Sequence, residues 1–181
     1  MSRTAVLVAV VLFAATSAFA NGEAEAAPEV PVLEGFESAS AAGVNVQWRV
    51  DGDTITVQAA APTTGWVAVG FDPSRQMADA NIIIGYVTDG EVAIDDHYGV
   101  GAISHESDES NGGSNDITGA EGEETDGATV IRFTIPLDSG DSMDKPLEVG
   151  ASYRVIVAYG PDGADDFGTY HATRGSFEME L

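Results

Sequence analysis

No cysteine occurs among the 181 residues. That absence excludes disulfides, thiolate zinc or iron–sulfur sites, and haem attachment through Cys-x-x-Cys-His. Any haem would have to be held without a covalent link. Basic residues are also scarce, with 7 Lys and Arg against 30 Asp and Glu. Phosphate backbones need clustered cations, so nucleic acid is not expected as a partner. No nucleophile–base arrangement is present, and no glycine-rich turn leads into a helix. An independent hydrolase or nucleotide-dependent enzyme is therefore not expected.

What is present begins with a processing pattern. Arg3 precedes an apolar run over residues 5–15, and Ala18-Phe19-Ala20 has small residues at alternate positions. The run is short for a membrane span, so residues 1–20 read as a cleaved export signal, with a periplasmic or extracellular destination and no transmembrane segment in the mature chain. Losing Arg3 takes the formal charge from −23 to −24. Such a surface keeps an exported protein soluble, or steers it toward a basic redox protein, a membrane cytochrome or a cation. Residues 21–43, rich in Ala, Glu and Pro, read as a flexible arm.

From Val44 the pattern changes to period two. Val44, Val46, Trp48 and Val50 alternate with polar neighbours, Asp51-Gly52 makes a turn, and Ile55 and Val57 resume the alternation. Strand-like runs follow at 65–71, 82–88, 91–98, 129–136, 152–159 and 175–181, with 21 glycines as punctuation. No window sustains a helical period, which predicts an all-β antiparallel sandwich over 44–181. The segment 99–128, dominated by Gly, Ser, Asn, Asp and Glu, reads as one long loop. If successive strands alternate in direction and none is missed, the loops at 72–81, 99–128 and 161–174 share one end.

Two of those loops carry metal-ligating side chains. Met77 follows Arg75-Gln76, and His171 lies in Tyr170-His171-Ala172-Thr173-Arg174. Met77 can be a gap-filler and His171 a surface histidine, yet a thioether and an imidazole can together hold haem iron from both faces. Arg174 can pair with a haem propionate, and Phe71, Tyr98, Phe167 and Tyr170 can form pocket walls. Two other clusters can hold metal. His97 follows Asp95 and Asp96, while His105 precedes Glu106 and Asp108. Asp138, Asp141 and Asp144 surround Ser139-Gly140 and can supply oxygens to Ca²⁺, although turn formation also explains them.

The ordered series Gly65-Trp66-Val67-Ala68-Val69-Gly70-Phe71, Met77, Ala80-Asn81-Ile82-Ile83-Ile84-Gly85-Tyr86 and Asp96-His97-Tyr98 resembles the DOMON family. Thr129-Val130-Ile131-Arg132-Phe133, the turn from Pro136 to Asp141, Val157-Ala158-Tyr159-Gly160 and Tyr170-His171 continue the match in order. The resemblance implies a β-sandwich that binds haem in some members and sugars in others. In members similar to the cytochrome domain of cellobiose dehydrogenase, a Met and a His at the positions of Met77 and His171 ligate b-type haem. The resemblance therefore implies haem b and single-electron transfer. A haem-free module binding carbohydrate, with Trp66 or exposed tyrosines stacking on sugar, remains the alternative. A third is a structural or adhesion sandwich.

Overall fold

The fold, a computed structural model, is described for residues 30–181. The export signal and the first part of the arm lie outside the described residues. Strands β1 (Glu37–Ala41), β2 (Val44–Asp51), β3 (Thr54–Ala61), β8 (Gly119–Thr125) and β9 (Ala128–Pro136) form one antiparallel sheet in the order β1-β2-β3-β9-β8. The second sheet takes the order β11-β10-β4-β5-β6-β7. Its members are β4 (Val67–Phe71), β5 (Asn81–Thr88), β6 (Glu91–Gly101), β7 (Ser104–Ser107), β10 (Ser152–Tyr159) and β11 (Thr173–Glu180). The sandwich expected from the alternating pattern is present. Among the described residues the only helix is a short 3-10 turn at Asp108–Asn111, and none is long and apolar enough to cross a membrane.

The inner faces of the two sheets meet in the main core. Val46, Ile55, Val57, Ala59, Ile131, Phe133 and Ile135 pack from the first sheet against Val67, Val69, Phe71, Ile83, Val155 and Val157 of the second. The second sheet buries its other face as well. Trp66, Ala68, Ile82 and Ile84 form a separate buried cluster there, with Met77, Tyr86, Ile156, Ala158 and Phe167 packed on it. This explains why β4 and β5 read as continuous apolar runs: odd-numbered residues enter the core and even-numbered ones the outer cluster.

Three expectations need correction. The flexible arm does not extend to residue 43. Glu37–Ala41 pairs with β2, and buried Gln47 accepts the Leu33 N–H at 2.8 Å while its Nε2 donates to the Pro31 carbonyl at 3.1 Å. The segment 99–128 is not one loop, because it holds the end of β6, then β7, and then β8, which joins β9 through a turn at Asp126-Gly127. That missed hairpin also reverses the strand count. β8 takes the direction expected of β9, so β10 places Val155 opposite Phe71 and Tyr159 opposite Val67. The loops carrying Met77 and His171 therefore leave opposite ends of the second sheet.

Candidate functional site

Both loops bear on the outer face of the second sheet. The 72–80 loop leaves β4 and re-enters β5, with positive φ at Asp72, Gln76 and Asp79. Short backbone bonds hold its shape: Ser74 N–H to the Ala78 carbonyl (2.9 Å), Ala78 to Arg75 (2.9 Å) and Ala80 to Met77 (3.1 Å). It is also fastened to β6, because Asp79 N–H donates to the Gly99 carbonyl and Gly99 N–H to the Ala80 carbonyl, both at 2.9 Å. The Asp79 carboxylate accepts the Ser74 hydroxyl and the Tyr98 phenol (2.9 Å), which together hold it below the usual carboxylate range. Met77 is thus presented by a fastened loop, with its side chain packed on the outer cluster.

The loop from 161 to 172 arrives from the other end. Trp66 Nε1 donates to the Thr169 carbonyl (3.2 Å), and Trp66 N–H to the Ala164 carbonyl (3.1 Å). A Cβ on Gly160 would stand 2.5 Å from Trp66 Nε1, so only glycine lets the indole lie there. Asp166 caps the turn by accepting the Gly168 N–H (2.7 Å) and the Thr169 hydroxyl (2.6 Å). Phe167 is set against Tyr86 (5.1 Å between centroids) and His97 (5.6 Å).

His171 is half-buried, its ring tilted against that of Tyr170 with 4.2 Å between centroids. Its Nε2 lies 3.0 Å from Arg174 Nη1. A guanidinium can only donate, so Nε2 is the acceptor and carries a lone pair. Burial, then the Arg174 charge, lowers the His171 pKa and favours that neutral form. The cation on Nε2 stands where a metal ion would bind. Arg174 is paired in register with Ala158, one of the residues on the outer cluster.

The other candidate residues divide. Phe167 lies on the outer cluster, as a pocket wall must. Phe71 does not, because it points into the main core. Tyr98 supports the Met77 loop through Asp79 and was not expected in that role. Tyr170 is 72% exposed. Trp66, at 5% exposed, is buried and cannot stack on a sugar.

His97 and His105 do meet, Nδ1 to Nδ1 at 2.8 Å, and His97 Nε2 lies 3.1 Å from Asp95. The carboxylate requires a proton on His97 Nε2, so His97 Nδ1 accepts from His105. Burial lowers both histidines. Glu106 turns away from them to accept from Asn111 at 3.4 Å.

A group that the sequence divided between two clusters also comes together. Asp96 and Asp144 meet Asp116, which the sequence did not single out, between β6 and the 137–151 loop, with Asp108 of the 3-10 turn beside them, whereas Asp138 only caps its own turn through Gly140 N–H. Burial, reinforced by Asp144, pushes Asp96 up to about 8 and Asp108 up to about 7; burial pushes Asp144 up to about 6. Their neighbours Asp95, Asp116 and Asp141 add negative charge. Raised folded-state values mean that the folded protein binds more protons. Their stabilising contribution is complete below about pH 4 and is lost as pH rises to about 8. The lowered histidines act oppositely, contributing fully above about pH 6.5 and losing it as pH falls. In EDTA-treated protein the melting midpoint should therefore fall between pH 6.5 and 8. A midpoint flat or rising across that window would contradict the raised carboxylates.

The DOMON domain model matches residues 40–160. The chain belongs to the DOMON family. DBH-like monooxygenase protein 1 of Homo sapiens is 29% identical over 136 residues, covering 74% of this chain and 21% of the human protein. Its Mus musculus counterpart is 30% identical over 138 residues, covering 75% and 22%. The DOMON chain spans about a fifth of these relatives. Among solved structures, the cytochrome b domain of pyranose dehydrogenase from Coprinopsis cinerea superposes with a TM-score of 0.57 at 13% identity, covering 76% of each chain. The cytochrome domain of Myriococcum thermophilum cellobiose dehydrogenase gives 0.51 at 10% identity, covering 76% of this chain and 74% of that one. These likenesses show a shared fold.

Proposed function

We propose that this DOMON domain is an exported b-type cytochrome that binds one haem non-covalently and passes single electrons. The observation carrying the proposal is the outer face of the six-stranded sheet. A buried apolar cluster there has a thioether packed on it, and the loop that closes it ends in a neutral imidazole. A second apolar face on a small soluble sheet requires a cover, and here two loops provide it.

The residues present suit haem. Ala68, Ala158 and Gly70 keep the centre of the face low, and Ile82, Ile84 and Ile156 make it apolar; Met77 and His171 would be the donors. Haem bound there would supply reversible one-electron chemistry, with Met77 and His171 as the residues that would hold its iron. The chain's part is to position those donors, exclude water and neutralise a propionate through Arg174. The acidic surface suits a basic protein or the basic face of a membrane cytochrome as redox partner. The carbohydrate reading loses Trp66 as a stacking group, since it is buried.

The test is an absorption spectrum of the purified protein, before and after reconstitution with haem. A Soret band, with sharp α and β bands after dithionite reduction, is expected at one haem per chain. A colourless protein that still fails to take up haem would overturn the proposal.

A further inference from the structure

We propose that Asp96, Asp116 and Asp144, with Asp108 of the 3-10 turn beside them, form a Ca²⁺ site, distinct from the outer face, where β6 meets the 137–151 loop. One carboxylate oxygen from each of Asp96, Asp116 and Asp144 lies within 4.8 Å of the others. Ca²⁺–oxygen bonds of about 2.4 Å set opposed ligands about 4.8 Å apart, so one ion can reach all three.

An acidic cluster alone would not carry this inference. The deciding feature is that its innermost members lack partners. Asp96 is 1% exposed; its Oδ2 accepts the Asp116 N–H at 3.1 Å, and its Oδ1 has no hydrogen-bond partner. Asp108 is 0% exposed, and neither of its oxygens has one. Asp144 Oδ2 accepts the Ser139 hydroxyl at 2.9 Å while Oδ1 is unpartnered. Among the described residues no Lys or Arg forms an ion pair with any of the four. Buried carboxylates are costly unless paired or bound to a metal.

Every donor is oxygen, which favours a hard cation over zinc or copper. Ca²⁺ accepts many oxygens in irregular geometry, whereas Mg²⁺ keeps several waters that this buried setting does not favour. The ion would join three separate segments. The next residue, Lys145, already ties them to the base of the Met77 loop through Asp72 at 3.3 Å.

The test uses protein stripped with EDTA, calorimetric titration with CaCl₂, and thermal melts at constant ionic strength set with NaCl. One Ca²⁺ per chain is expected. At about 100-fold excess over Kd, the melting midpoint should rise by roughly 5–10 °C. Mg²⁺ at the same concentration should give a smaller rise. Asp96→Asn and Asp144→Asn should each abolish the titration heat and the shift. In EDTA above about pH 8, where both carboxylates are ionised, both variants should melt at or above the wild type, because each removes an unpaired buried charge. Asp138→Asn, in the exposed turn, should bind as the wild type does. Stripped wild-type protein showing neither heat nor shift would overturn the site, whatever the variants do. So would an undiminished response in both variants. A Mg²⁺ shift as large as that with Ca²⁺ would overturn the assignment of the ion.

Discussion

His171→Ala should strip most of the haem from the domain, whereas Met77→Ala should keep part of it in an altered spin state. Imidazole nitrogen binds haem iron more strongly than thioether sulfur, so the His171 bond contributes more to retention. The thioether favours ferrous iron, so the haem that Met77→Ala retains should have a lower potential. Neither side chain belongs to the main core, and far-UV circular dichroism should therefore stay unchanged in both variants. Haem-to-protein ratio, reduced spectra and potentiometric titration measure the three effects. Wild-type-like reduced spectra in both variants would remove this pair as ligands. Arg174→Ala gives an internal check, since it frees His171 Nε2 without removing it.

The strands with a face to bury were legible in the sequence. β2, β3, β9 and β10 alternate because their inner residues enter the core, and the apolar runs of β4 and β5 reflect two buried faces. The edge strands β1 and β8 were not legible. Glu37–Ala41 is small and polar, and Gly119–Thr125 contains three glutamates with almost every residue exposed. Edge strands avoid apolar surface because it would invite pairing with other chains, so the pattern that reveals inner strands is missing there. The one available signal was the Asp126-Gly127 turn, of the kind that correctly marked the turn at Asp51-Gly52.

Missing that hairpin had a consequence for the site. Strand counting put Met77 and His171 at one end, but their loops start from opposite ends of the sheet. Met77 from one loop and Phe167 from the other nevertheless pack on the same outer cluster. The two candidate ligands were legible as residue types, and the ends from which their loops start were not. Asp96 was hidden for a different reason. In Ile94-Asp95-Asp96-His97 nothing distinguishes the aspartate on the inner face from its exposed-side neighbour until the register with β5 is known, where Asp96 pairs with Ile83.

Gly99→Ala should cause the largest loss of stability among single-methyl changes around the site. An added Cβ would stand 1.7 Å from the Met77 carbonyl oxygen and 2.7 Å from its carbon. The obstacle is backbone, and the Ala80–Met77, Asp79–Gly99 and Gly99–Ala80 hydrogen bonds fix it on both sides. No rotamer change relieves the collision, so loop and strand must separate. Overpacking of this kind costs about 3 kcal/mol, or roughly 6–12 °C in melting midpoint for a domain of this size. Gly119→Ala is the matching control. Its Cβ would meet the Thr134 hydroxyl at an ordinary 3.7 Å, and an alanine there should be neutral or slightly stabilising. A Gly99→Ala midpoint within about 2 °C of the wild type would show that the 72–80 loop yields freely. The same variant also tests what the fastening does. If the loop holds Met77 in place, haem-loaded Gly99→Ala should show the altered spin state and lowered potential expected of Met77→Ala, although the thioether is still present. A destabilised variant with an unchanged potential would assign the Gly99 contact to stability alone.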